Sequence, residues 1–496
     1  MAENLPNILM IITDQQRTDT LGFMGKTPCR TPNMDRLARE GISFDRAICS
    51  SPLCLPSRAS IFTGQYPHQV DMMQNNDTIR VEPTLTDRLR ARGYYTGYAG
   101  KWHMEPTGQP KAFRGKEETL GLAEVHGGVV MPKGRRAIDR WFDVADGQGT
   151  YDYSAWCEDQ GLPDGWPVSD PDVRTHRTPS MSIPRPKAQD LPADKTFDAW
   201  VTDIVLRFYH ERPKGRPFFL VSGWFGPHPP FLIPEPFYSM YDPATVPEPP
   251  NFGPLPNKPR VNTSSFYHQL WLDQGQDWDA WKQTVAVYWG YVTMMDALVG
   301  RLLRTLEADG TLDQTLVVFM SDHGEMLGSH GLWHKMMPYE ECLRVPLLMR
   351  LPGRIAPGIR SRAVTSLVDV PATILSLIGE PIPEAYVGRD LSPAFQDGSE
   401  FQEDAYRFSE HRPLGDWHGT VEWRLVVDDR FKYAWNQGDL DELYDLQLDP
   451  YELNNLICDP DHKHERDRLQ ERLRCWMADT DDPLLGHYDR EMEQDA

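Results

Sequence analysis

The sequence predicts an α/β protein: a large, mostly parallel mixed sheet covered by helices, followed by a smaller C-terminal α+β domain with an antiparallel sheet. Three observations carry that expectation. Compact apolar runs such as Ile8-Leu9-Met10-Ile11-Ile12 and Leu316-Val317-Val318-Phe319-Met320 read as strands buried on both faces. Strand and helix patterns alternate over roughly the first 370 residues, as parallel sheets require. After Ile378 the pattern changes to a hairpin and a polar helix.

Taken in order, Pro6–Thr13 reads as the first strand, broken by Asp14-Gln15-Gln16. Thr31-Pro32 predicts a helix start, with Thr31 as N-cap and proline at the first helical position; Met34, Leu37 and Ala38 form its apolar face and Gly41 stops it. Leu85 to Arg92 is a short helix closed by Gly93, and Tyr94–Tyr98 follows as a strand. Pro217–Trp224 is another buried strand. Val287, Tyr291, Met294, Leu298 and Leu302 recur at helical spacing, predicting an amphipathic helix over Trp281 to Glu307.

A first domain over 1–379 therefore carries two insertions, about 105–198 and 243–281. The first is rich in proline, glycine and tryptophan, including Trp141, Trp156 and Trp166. Long loops of this kind either hold substrate or pack as surface excursions. In the second domain, 380–496, Phe431–Asn436, the turn Gln437-Gly438 and Glu442–Leu446 predict a hairpin, with a polar helix through Arg474.

Aspartate and glutamate exceed lysine and arginine by 73 − 51 = 22, a formal charge of −22. That excludes duplex nucleic acid as a partner, since phosphate binding needs a basic face. Any anion site must be a local cationic pocket in an acidic body. Seven scattered cysteines without C-x-x-C pairs fit a reducing compartment. The N-terminus lacks a basic segment before Arg17, and no apolar run reaches the ~18 residues of a membrane span. The expectation is a cytoplasmic protein with no membrane partner; a homo-oligomer stays open.

Each strong segment ends an apolar strand and then turns polar, which is where open α/β sheets place ligands. Asp14, Gln15, Asp322 and His323 make a mostly oxygen set suited to a hard divalent cation. The plainer alternative is that Asp14 and Asp322 cap following helices. Arg58, Lys101, His103, His228 and Lys335 supply cationic and imidazole groups suited to a tetrahedral oxyanion. Prolines on both sides of His228 rigidify its presentation. His330-x-x-x-His334 has zinc-pair spacing, but Gly328-Ser329-His330-Gly331 is a poor helix.

The run Cys54-Leu55-Pro56-Ser57-Arg58 has the form C-x-P-S-R, which resembles the signature of type I sulfatases. PNILMIITDQQRTDTLG, GYYTGYAGKWHM, PHPP, VVFMSDHGEMLGSHGLWHK and ELYDLQLDPYELNNL resemble segments of that family, in its order. The resemblance implies an alkaline phosphatase-like sandwich and hydrolysis of sulfate monoesters. It implies that Cys54 is the precursor of formylglycine, made by a separate maturation enzyme, with Arg58 holding its hydrate. Asp14, Gln15, Asp322, His323 and the modified Cys54 would bind one divalent metal, with Ca²⁺ first and Mn²⁺ or Mg²⁺ as alternatives. Lys101, His103, His228 and Lys335 would surround the sulfate of a sulfated small molecule or saccharide.

One departure matters. Many sulfatases carry Asp-Asp after the first strand, where this chain has Asp14-Gln15. Phosphonate monoester hydrolases share Asp-Gln and favour manganese, but lack the Gly100-Lys101-Trp102-His103 segment. A hydrolase of phosphonate monoesters or phosphodiesters is thus the alternative. A phosphomonoesterase or mutase would use Ser or Thr in place of Cys54. A non-catalytic binding protein predicts decay of the strand-end residues, and only Gln15 varies.

Overall fold

The computed structural model describes residues 5–75, 77, 83–102, 142–146, 150–163, 185–398, 406–413 and 419–495. Its strands up to residue 366 are β1 (Asn7–Thr13), β2 (Ile42–Ile48), β3 (Tyr95–Gly100), β4 (Val144–Asp146), β5 (Lys187–Ala188), β6 (Phe218–Gly223), β7 (Leu232–Ile233), β8 (Thr315–Ser321), β9 (Leu347–Arg350) and β10 (Ile359–Ser366). Eight form one sheet in the order β10-β2-β9-β8-β1-β6-β3-β4, while β5 and β7 pair separately. β9 runs antiparallel to β8 and β2; every other pairing in the large sheet is parallel. The C-terminal ends of the remaining strands therefore share one edge.

The apolar strand runs are explained by burial on both faces. Leu9, Ile11, Val317 and Phe319 pack with Val287, Tyr291, Met294, Leu298 and Leu302 of the helix Asp279–Ala308. Ile8, Met10, Ile12, Leu316, Val318 and Met320 face the other way, onto Leu55, Ile61 and Phe62 of the helix Cys54–Thr63 and Val370 and Ile374 of the helix Asp369–Leu377. Each fully buried side chain of this size contributes about 1.5–3 kcal/mol.

Local details differ from expectation. Thr31 does not cap the helix Pro32–Glu40 through its side chain. Its hydroxyl instead donates to Asp35 at 2.8 Å and accepts from the Gly22 amide at 2.7 Å. The third strand starts at Tyr95 and continues to Gly100, beyond the expected Tyr98. β2 escaped notice because Asp45 and Arg46 interrupt its apolar run; Asp45 pairs with Arg360 of the adjacent edge strand at 2.7 Å.

The C-terminal sheet orders β11 (Arg407–His411), β12 (Trp423–Val427), β13 (Phe431–Asn436) and β14 (Glu442–Asp445) in antiparallel sequence. Phe408, Val426, Tyr433 and Trp435 meet Leu469, Leu473, Trp476 and Met477 of the helix Lys463–Asp479, which runs past the expected Arg474. Trp423, Leu425, Val427 and Ala434, on the opposite face, join the core of the large sheet. The small sheet is thus buried on both sides. Among the described residues, no helix is long and apolar enough to cross a membrane.

Candidate functional site

Register builds the site. Thr13 of β1 lies opposite Ser321 of β8, so the residues that follow, Asp14 and Asp322, emerge side by side. Neither begins an α-helix, which removes the capping alternative. On the other side, Ile12 pairs with Gly223 of β6, and Gly223 pairs with Gly100 of β3. Gly100 has φ +94°, and a Cβ there would lie 2.0 Å from the Gly223 carbonyl oxygen. Glycine alone permits that approach, after which the Lys101 amide donates to Gly223 at 2.7 Å.

Cys54 opens the helix Cys54–Thr63, all of whose residues are buried. Arg58 follows four positions on, on the same helical face. Its Nε donates to Asp322 at 2.8 Å, Nη2 to Asp14 at 3.2 Å and Nη1 to the Lys101 carbonyl at 2.8 Å. Arg58 therefore fixes both carboxylates and the chain carrying Lys101. Ser57 Oγ adds a 2.6 Å bond to the Asp322 carbonyl.

Around Cys54 Sγ stand Lys335 Nζ at 3.0 Å, His323 Nε2 at 3.2 Å, Lys101 Nζ at 3.5 Å and Asp14 Oδ1 at 3.7 Å. Burial pushes the thiol up and Asp14 adds to that, yet Lys101, Lys335 and His323 together hold it well below the ordinary range. Burial likewise opposes ionisation of Asp14, but Lys101, His228, Lys335 and His323 keep its carboxyl well below the usual value. Asp322 is pushed up to about 6 by burial and by the neighbouring Asp14 charge.

Asp14, Cys54, Asp322 and His323 present ligand atoms that all lie within 4.8 Å of one another. His323 Nδ1 lies 2.9 Å from the Gly324 carbonyl, which only accepts, so that nitrogen carries the proton. Nε2 then faces the cluster with its lone pair, as a metal-ligating imidazole does. Two opposed buried carboxylates beside that lone pair fit a divalent cation. Gln15 joins them from a left-handed backbone, φ +66°. Its side-chain oxygen accepts from Lys335 at 3.0 Å, and its nitrogen bonds Glu325.

His228 is buried, with Nδ1 2.5 Å from the Pro229 carbonyl. Nδ1 therefore donates, and Nε2 is the nitrogen that gains and loses a proton. The loop is positioned by Asp198, which accepts from the Phe225 amide at 2.6 Å and the Gly226 amide at 3.2 Å. The structure thus brings together Asp14, Gln15, Cys54, Arg58, Lys101, Asp322, His323 and Lys335. His103, Trp141 and Trp166 lie outside the described residues. Residues 330–334 are not helical; His330 bonds Asn251 at 3.1 Å, whereas His334 faces Gln15 at 3.3 Å.

Sequence reasoning missed Asp198 and Glu325. Asp198 sits in the first turn of the helix Phe197–Glu211 and carries no motif. Glu325 ends the run after β8, and only the fold shows it behind Gln15. Burial pushes its carboxyl up to about 7.

Residues 6–380 match the family described as Sulfatase, and residues 328–479 match N-sulphoglucosamine sulphohydrolase, C-terminal. An arylsulfatase from Clostridium perfringens is 29% identical over 483 residues, covering 94% of this chain and 93% of the relative. The crystal structure of a phosphonate monoester hydrolase from Agrobacterium radiobacter has a TM-score of 0.77 at 24% identity, covering 96% of both chains. A structure solved with D-glucosamine-2-N,6-O-disulfate as its substrate has a TM-score of 0.75 at 22% identity, covering 97% of this chain and 99% of that one. These two likenesses bear on fold. The family match spans the strands that deliver Asp14, Lys101, His228 and Asp322 and the helix that opens with Cys54; this chain belongs to the sulfatase family.

Proposed function

We propose that this sulfatase hydrolyses a sulfate monoester with residue 54, oxidised from cysteine to formylglycine, as the nucleophile. One divalent cation would be held by Asp14, Gln15, Asp322, His323 and residue 54. The carrying observation is the convergence of Lys335, His323, Lys101 and Asp14 on Cys54 Sγ within 3.7 Å. That sulfur stands where the formylglycine oxygens would be. Bound there, the cation would supply positive charge that favours an ionised hydroxyl and a developing sulfate oxyanion. Formylglycine hydrate supplies two hydroxyls, one to attack sulfur and one whose deprotonation releases sulfate.

The chain's own residues do the rest. Lys101 and Lys335 neutralise charge on the transferring group from a buried, preorganised position. Arg58 holds Asp14 and Asp322 in place. His228, its tautomer set by Pro229, protonates the leaving alcohol through Nε2. His103 is assigned the role of base in sulfate release. Ca²⁺ is the first choice of metal, with Mn²⁺ or Mg²⁺ as alternatives because Gln15 removes one negative charge. A saccharide is the favoured alcohol, by analogy with the glucosamine disulfate bound to one structural neighbour. Conversion of Cys54 needs a separate formylglycine-generating enzyme.

Asp14-Gln15 favours a second reading, a phosphonate monoester or phosphodiester hydrolase on the same site. Turnover of an aryl sulfate against a bis-aryl phosphate separates the two. The sulfatase reading expects the sulfate to be preferred and Lys101→Ala to lose about 10²-fold or more in turnover. Faster diester hydrolysis, or full sulfatase activity in Lys101→Ala, establishes the second reading.

A further inference from the structure

A cavity of about 470 Å³ opens between the large sheet and the turn that follows β14. Arg46 from β2, Arg344 from just after the helix Glu340–Leu343, and Arg362 from β10 all line it. The pairing of β10 with β2 shifts register between Ser361 and Val364, and Val364 lies opposite Arg46. Such irregularities redirect side chains, and Arg362, inside this one, lines the same cavity as Arg46.

Arg46 donates to the carbonyls of Asp428 and Asp429, and Arg344 Nε to the Asp45 carbonyl at 2.7 Å. Among the described residues, none of the three arginines forms an ion pair. Glu340 and Asp429 share the lining, and three of the acids nearby have other cationic partners. Asp45 pairs with Arg360 at 2.7 Å, Asp428 with Arg468 at 2.5 Å, and Glu340 with Lys432 at 3.3 Å. Asp429 is exposed and turns its backbone carbonyl to Arg46. Burial, with Arg344 adding to it, lowers Arg46 despite the opposing pull of Glu340. The cavity thus sets three guanidinium groups against the two carboxylates of Glu340 and Asp429, a local positive excess in a chain of charge −22 that favours an anion.

We propose that this cavity is a second anion site that binds a tetrahedral oxyanion, a sulfate group, apart from Cys54. Guanidinium forks match the oxygen edges of such a group in pairs. The bound group is either free inorganic sulfate or a sulfate carried on a saccharide. The site needs neither formylglycine nor the metal, so it stands independently of the proposed reaction. The helix Glu340–Leu343 links the two regions, because its Glu341 and Cys342 carbonyls accept from the Glu325 and Gly324 amides at 2.8 Å each.

Isothermal titration of the full chain carrying Cys54→Ala tests this, with sodium sulfate and with a sulfated disaccharide as separate probes at low ionic strength. Arg362 is exposed on an edge strand, so Arg362→Ala is expected to keep the wild-type unfolding midpoint. It should weaken one binding event by about tenfold or more, and Arg344→Ala/Arg362→Ala should abolish it. Lys335→Ala should leave that event intact. Equal affinity for both probes assigns the site to free sulfate; tighter disaccharide binding that disappears with the arginines assigns it to a saccharide-borne sulfate. Unchanged binding of both probes by the folded double variant overturns the proposal. A failure of the Cys54 chemistry would show as lost turnover with this binding event preserved.

Discussion

Arg58 Nε donates to Asp322 Oδ2 at 2.8 Å with both side chains fully shielded from solvent. The same guanidinium reaches Asp14 at 3.2 Å. One arginine of the C-x-P-S-R run therefore spans the two carboxylates that end β1 and β8. Its position four residues after Cys54 ties the helix that opens with Cys54 to the proposed metal ligands.

Removing that cation leaves two buried carboxylates opposed. Arg58→Ala should lose about 3–5 kcal/mol of stability in metal-free protein, the usual cost of orphaning one side of a buried ion pair. Denaturant unfolding measures it. Added divalent metal should restore part of the loss, and an unchanged midpoint would show that Arg58 is dispensable for holding the carboxylates.

Cys54→Ser retains an oxygen in place of Sγ but has only one hydroxyl. It should accept one sulfuryl group from substrate and stall, giving a covalent adduct by intact mass spectrometry. Cys54→Ala should form none. The mature wild-type chain should show the thiol replaced by an aldehyde or its hydrate. Sustained wild-type turnover by Cys54→Ser, without an adduct, would rule out residue 54 as the formylglycine nucleophile.

Metal removal is the third test. Chelation should abolish turnover and lower the unfolding temperature, since a ligand at 100 times its Kd stabilises by about 2.7 kcal/mol. Asp322→Ala should eliminate both the bound ion, by elemental analysis, and that thermal shift. Full activity in metal-free protein would refute the metal assignment.

The fourth concerns His68. Its Nδ1 lies 2.9 Å from Glu410 of β11 and its Nε2 3.2 Å from the Thr480 carbonyl. Two acceptors call for a doubly protonated ring. Burial and Arg424 oppose that charge, but Glu410 and Asp482 raise the imidazole above its ordinary 6.5. The folded state thus binds the proton more tightly than the unfolded chain. This contribution is complete below about pH 6.5 and is lost as pH rises through the folded value. His68→Gln should flatten that fall in a stability–pH profile, whereas a profile identical to wild type would show a neutral ring.

Much of this protein was readable from local patterns. Apolar runs such as Ile8–Ile12 and Leu316–Met320 announce strands buried on both faces, because no polar side would be tolerated there. The polar residues that end such strands, Asp14, Lys101, His228 and Asp322, could be named as candidate site residues since parallel strands deliver their C-terminal ends to one edge. Strands such as β2 were hidden, because Asp45 finds its ion-pair partner, Arg360, and Arg46 its carbonyl acceptors far away in sequence.

What tertiary structure alone decided is which groups face each other. The opposition of Thr13 and Ser321 sets Asp14 against Asp322, and no local propensity encodes a register between strands some 300 residues apart. Asp198 and Glu325 acquire their places behind the His228 loop and Gln15 in the same way. The gathering of Arg46, Arg344 and Arg362 has the same origin: charge is written residue by residue, but its pairing is a property of packed space.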